Sequence, residues 1–193
     1  MEKAGVPCAC SLSEENIKIR ETIDLAHPIA VVHHGGVTDR LFAEGNPTIV
    51  RDYVKAVRDT GLLAGVSSHN PDVIKQIADE GWEVDFFMTC FYFLTRKQNM
   101  KESMPTLPTG SYVFYKDDPA VMTSVIRQVK QPCLAFKILG AGRLCSSQDK
   151  VKSAFQYAFA NIKPTDGVIV GMFPWFFDEI SANSLYTKES GRI

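Results

Sequence analysis

A chain of 193 residues, 45% of them hydrophobic and with a formal net charge of -1, has the size and composition of one globular domain with a substantial core. The near balance of charge, without any run of Lys or Arg, argues against a nucleic-acid track or an acidic-membrane surface and favours a small-molecule substrate. No segment approaches the roughly 20 apolar residues that span a bilayer and the opening stretch lacks a signal-peptide core, so the sequence reads as cytoplasmic.

Short apolar runs alternate with amphipathic helical patterns, with Pro or Gly at the joints, the grammar of βα units on a parallel sheet. The first run, Val6 to Ser11, is followed by Ser13 as N-cap and an apolar stripe from Ile17 to Leu25. The second strand, Pro28 to His34, is closed by Gly35-Gly36 and reads on as a loop to Asn46-Pro47, where a helix begins and runs to Gly61. Leu62 to Ser68 is the third strand, and the same start signal, Asn70-Pro71, opens a helix that stops at Gly81. Val84 to Tyr92 is apolar enough to be covered on both faces.

From Thr95 to Asp117 the rhythm breaks in a stretch long enough to suggest an active-site cover. Asp118-Pro119 restarts a helix, Cys133 to Leu139 is the fifth strand, a helix follows over about Ser147 to Ile162, Val168 to Met172 is the sixth strand, and a last helix starts near Asp178. The expected architecture is one α/β domain, a (β/α) TIM-type barrel with six recognisable units, shorter by roughly two units than the usual barrel of about 250 residues. The opening Met-Glu-Lys-Ala-Gly reads like the end of a barrel helix. An uncovered edge at Val6 to Ser11 would call for a second chain or a homo-oligomer.

In such barrels the chemistry gathers at the C-terminal strand ends. These carry His33 and His34, of which alternation lets only one face the lumen. They also carry Ser67, Ser68 and His69, then Cys90, then Lys137 in the apolar run 133–139, expected to point inward with Ala135 and Leu139, where it would bind an anion or form a Schiff base. Gly140-Ala141-Gly142 is a turn whose amides can approach a phosphate. Histidines 33 or 34 with His69 could hold a metal, but no acidic partner is evident at neighbouring strand ends, and the expectation is no metal. The five cysteines, Cys8, Cys10, Cys90, Cys133 and Cys145, read as reduced thiols; Cys8 and Cys10 lack a second pair for zinc.

Taken in order, these segments resemble the aldo-keto reductase superfamily over about residues 25 to 185. Pro28-Ile-Ala-Val-Val-His-His-Gly is similar to the strand that ends in the family's active-site histidine. Ala64-Gly-Val-Ser-Ser-His-Asn-Pro resembles the strand whose Ser-Asn pair holds the nicotinamide carboxamide, with Ser67 and Ser68 in that place. Phe136-Lys-Ile-Leu-Gly-Ala-Gly-Arg-Leu resembles the loop along the cofactor pyrophosphate, which carries Gly140 and Gly142. The segment from Val168 through Gly171 and Met172 to Asp178-Glu-Ile-Ser-Ala-Asn resembles the closing segment in which Glu179 or Asn183 contacts adenine. The resemblance implies nicotinamide-dependent (NADP or NAD) carbonyl reduction by an oxidoreductase. The family's catalytic Asp, Tyr and Lys have no counterparts in this chain, and Phe173 stands where a basic residue reads the NADP 2′-phosphate. Two other readings follow from the same residues: a barrel lyase or isomerase without NADP that uses a lumen histidine and Lys137, and a non-catalytic subunit.

Overall fold

The computed structural model describes residues 21, 25–96 and 112–191, and these form an α/β structure around one parallel sheet. The expected strand 6–11 and most of the helix after it lie outside the described residues, as do Cys8 and Cys10. The elements in chain order are β1 (Ala30–His33), α1 (Gly35–Ala43), α2 (Pro47–Arg58), β2 (Leu63–Ser68), α3 (Pro71–Asp79), β3 (Phe86–Cys90), α4 (Asp118–Gln128), β4 (Cys133–Phe136), α5 (Gln148–Asn161), β5 (Gly167–Ile169) and α6 (Glu179–Ser190).

All five strands are parallel and lie in the sheet in sequence order, β1-β2-β3-β4-β5. An order without reversal has no switch point of the doubly wound kind, and crossovers of one hand then put every helix on the same face. Burial follows that rule. Val31, Ala64, Val66, Phe87, Cys133 and Ala135 are at most 5% exposed and meet the apolar stripes of the helices, such as Val50, Val54 and Val57 of α2 and Ile74 and Ile77 of α3. The alternate residues Val32, Phe86, Met88, Leu134 and Phe136 are only half buried, and Leu63 is exposed. Among the described residues β1 and β5 do not pair.

Local chemistry sets the element ends. Asn70 Oδ1 accepts the Asp72 N–H at 2.9 Å, Ser147 caps α5 and Asp178 caps α6. Asn46 makes no side-chain cap, so α2 relies on Pro47 in its first turn. At the N-terminal side of the sheet a repeated device ties strands together. Asp85, just before β3, accepts the Ala64 N–H of β2 at 2.8 Å and pairs with Arg58, while Asp166, just before β5, accepts the Cys133 N–H of β4 at 2.8 Å and pairs with Lys163 at 3.0 Å.

Three expectations are corrected. The segment after Gly35-Gly36 is the helix α1, because Val37, Leu41 and Phe42 form an apolar face against the core. β4 ends at Phe136, three residues early, because Lys137 adopts φ +58° and the chain turns into a 3₁₀ turn at Gly140–Gly142. β5 spans only Gly167–Ile169, and Val170 to Met172 run on without ladder pairing.

On the half-open face the Phe86 ring lies across Gly65, where a Cβ would come within 2.3 Å of it. Gly65→Ala therefore forces the ring away, and we expect a loss of about 1–3 kcal/mol in chemical denaturation. A variant as stable as the wild type would show that the ring moves freely.

Candidate active site

Helix α1 starts directly after β1, and its second turn delivers a buried carboxylate to the end of β2. The side chain of Asp39, 2% exposed, accepts the Ser68 hydroxyl, the His69 backbone N–H at 3.1 Å and the His69 ring at Nδ1 at 2.9 Å. A carboxylate accepts only, so His69 carries a proton on Nδ1, and in the neutral imidazole the lone pair is on Nε2, turned away from Asp39. Lys137 Nζ lies 3.4 Å from that nitrogen. The Phe136 ring supports both groups, edge-on to the imidazole at 5.5 Å and beneath the ammonium group at 5.7 Å. Gly35 lets α1 come this close: a Cβ there would lie 2.8 Å from Ser67 Oγ and 3.2 Å from His69 Cε1.

The structure thus joins Ser67, His69 and Lys137 at one mouth, on the half-open side of the sheet. Lys137 arrives there by its left-handed backbone rather than by the strand alternation expected, since Ala135 faces the helices. Ser67 and Ser68 point to opposite faces. Ser68 is fully buried, donating to Asp39 and accepting the Asn70 N–H at 2.9 Å, so Ser67 alone faces the mouth. His33 turns to the helix side, 2% exposed, with its ring edge-on to Tyr53 at 4.8 Å. Its Nδ1 donates at 2.7 Å to Thr38 Oγ1, whose own proton goes to the His34 carbonyl. His34 precedes α1 and is exposed.

The remaining residues expected to hold a dinucleotide follow β4 and β5 or lie in α6. Gly140 and Gly142 both have positive φ, and Arg143 Nη1 donates to the Gly140 carbonyl at 3.2 Å. Gly171 and Met172 are exposed beyond β5, and Glu179 accepts the Phe173 N–H at 2.8 Å. Asn183 is buried and lines a cavity of about 1030 Å³ between β5, α5 and α6. Ser68 and Asn183 lie on the helix side and Ser67 on the other.

Cys90 and Cys133 are held as protonated thiols: burial pushes Cys90 up to about 11 and Cys133 up to about 12. No cluster of three metal-ligating side chains occurs among the described residues. Asp39 is the residue that reading strand ends misses, because it comes from a helix; the apolar spacing of Val37, Leu41 and Phe42 is the signal that would have placed it. The long segment after β3 is pinned at its base, where Arg96 pairs with the buried Asp118 at 2.6 Å and stacks between Phe93 and Tyr115; residues 97–111 lie outside the described residues.

No protein-family model and no curated protein matches the chain.

Burial lowers the His33 pKa from 6.5 to about 4, with the neighbouring His34 adding to the effect. The folded state therefore binds fewer protons than the unfolded one between these values. The stability this contributes is full above pH 6.5 and is lost as pH falls toward 4, by up to about 3 kcal/mol. Denaturation of wild type and His33→Leu at pH 7, 5.5 and 4 checks this: the wild type should lose more, and parallel curves would exclude a neutral buried His33.

Proposed function

We propose that the protein is a carbonyl-processing enzyme, of the lyase or isomerase kind, in which Lys137 is the amine nucleophile, His69 its base and Asp39 the group that orients the base. The observation that carries this reading is the 3.4 Å approach of Lys137 Nζ to a His69 Nε2 whose lone pair is fixed outward by Asp39. A nucleophile within reach of a base that is itself oriented by a third group is the recurring arrangement of covalent catalysis.

The chemistry closes in protons and bonds. Lys137 passes a proton to His69 Nε2, and the freed lone pair attacks the carbonyl carbon of an aldehyde or ketone. The resulting alkoxide takes the proton back from His69 to give a carbinolamine. Loss of water then gives an imine, whose protonated form draws electrons from the adjacent carbon, so that a C–H or C–C bond there can break. Ser67, a 5% exposed residue at the same mouth, would donate from Oγ to the carbonyl oxygen as negative charge develops on it.

Cyanoborohydride traps such an imine. Incubation with glyoxylate or pyruvate should label Lys137 about tenfold faster than the exposed Lys55 or Lys130 by peptide mass mapping, and His69→Gln should slow that labelling about 100-fold. Labelling of Lys137 at the rate of those other lysines, or with no response to His69→Gln, would remove the reading.

A second reading, nicotinamide-dependent carbonyl reduction in a complete (β/α) barrel, is supported by the order of the family-like segments along a parallel sheet and by the placing of Ser67 and Lys137 at one mouth. Against it stands the burial of Ser68 and Asn183 on the helix side. Trp175, 79% exposed in the loop before α6, reports on the point. Titration with NADPH or NADH should leave its fluorescence unchanged, whereas a saturable quench that disappears in Trp175→Phe would favour reduction.

A further inference from the structure

We infer that the cavity between the first turns of α4 and α5 binds a small amphipathic anion, an anionic head group carried on an aromatic or alkyl body. The cavity holds about 550 Å³, within the range of small-molecule sites. Its lining includes none of Asp39, His69 and Lys137, so the inference goes beyond the carbonyl chemistry and does not depend on it.

Two chemistries meet in the cavity. The floor is apolar and buried, formed by Phe91, Tyr92, Ile138 and Ala154, with Phe114 and Tyr157 as aromatic walls. The rim carries Lys116, Arg143 and Lys150, and no carboxylate lies among the described lining residues. Nor is this positive charge neutralised from behind. Arg143 stacks its guanidinium 3.7 Å over the Phe114 ring and spends Nη1 on the Gly140 carbonyl, leaving its other donors available. Lys150 donates to the Ser146 hydroxyl at 2.9 Å, and Lys116 has no acidic partner among the described residues.

Charge complementarity selects the occupant. A cation would meet three like charges, and a neutral apolar molecule would fill the floor while leaving the rim unanswered. A carboxylate or phosphate on a ring or short chain answers both, with the stacked guanidinium offering its fork to the head group.

The test uses the full chain and calorimetric titration with three probes: 2-naphthoate, 2-naphthyl phosphate and the neutral 2-naphthylmethanol. Saturable binding of at least one anion, about tenfold tighter than the alcohol, is expected. Arg143→Gln should weaken the anion about tenfold and leave the alcohol unchanged. Lys116→Gln/Lys150→Gln, at exposed positions that leave the fold intact, should weaken it further and flatten its salt dependence. Lys137→Ala should bind the anion as the wild type does, which separates this site from the imine chemistry. The relative strength of the carboxylate and the phosphate identifies the head group. Absence of saturable binding by both anions, equal binding of the alcohol, or anion affinity unaltered by Arg143→Gln would each overturn the inference.

Discussion

A buried carboxylate organises the upper end of this sheet. Asp39 has given up water almost completely, and a charge in that position is tolerated only where donors replace the lost solvent. Three do, from Ser68 at the end of β2 and from His69 directly after it. One interaction therefore does two jobs: it fastens α1 to the strand beside its own, and it sets the orientation and tautomer of His69. The Lys137 contact depends on it in turn, because an imidazole turned over, or protonated on Nε2, would present no lone pair to the amine.

The two ends of the sheet use acids in different ways. At the N-terminal side Asp85 and Asp166 each accept the N–H of a neighbouring strand and pair with a cation from the same region, which holds strands in register and leaves no reactive group exposed. At the C-terminal side Asp39 binds an imidazole whose far nitrogen meets Lys137. Parallel sheets separate stability from chemistry in this manner, since the helices and loops that can vary follow the C-terminal strand ends.

Much of this was legible in the residues. The strands read at 62–68, 84–92 and 133–139, observed over 63–68, 86–90 and 133–136, and the helices opened by Asn70-Pro71 and Asp118-Pro119 follow in place and type from period and punctuation, because their apolar stripes are wide and their start signals strong. Ser67 and Lys137 were likewise placed at strand ends from pattern. What the pattern hid was α1, whose glycine start carries no capping residue and which therefore looks like a loop. With α1 hidden, Asp39 had no address, and His69 lacked the acid that explains it. The choice between His33 and His34 also lay beyond strand alternation. It depends on which face of the sheet is covered, a property of the helices: with the helices on the far side, His33 goes into the core beside Tyr53.

Lys137 illustrates how fold and chemistry can be at odds in a single residue. Its φ of +58° belongs to a region that glycine enters freely and a side chain with a Cβ does not, and strain of this sort endures where the surroundings demand it. That conformation lifts the amine off the path of β4 and onto the imidazole. Glycine at 137 would relax the turn and leave the ladder of β4 untouched. A long basic side chain there brings an amine to His69, which the proposed imine chemistry needs.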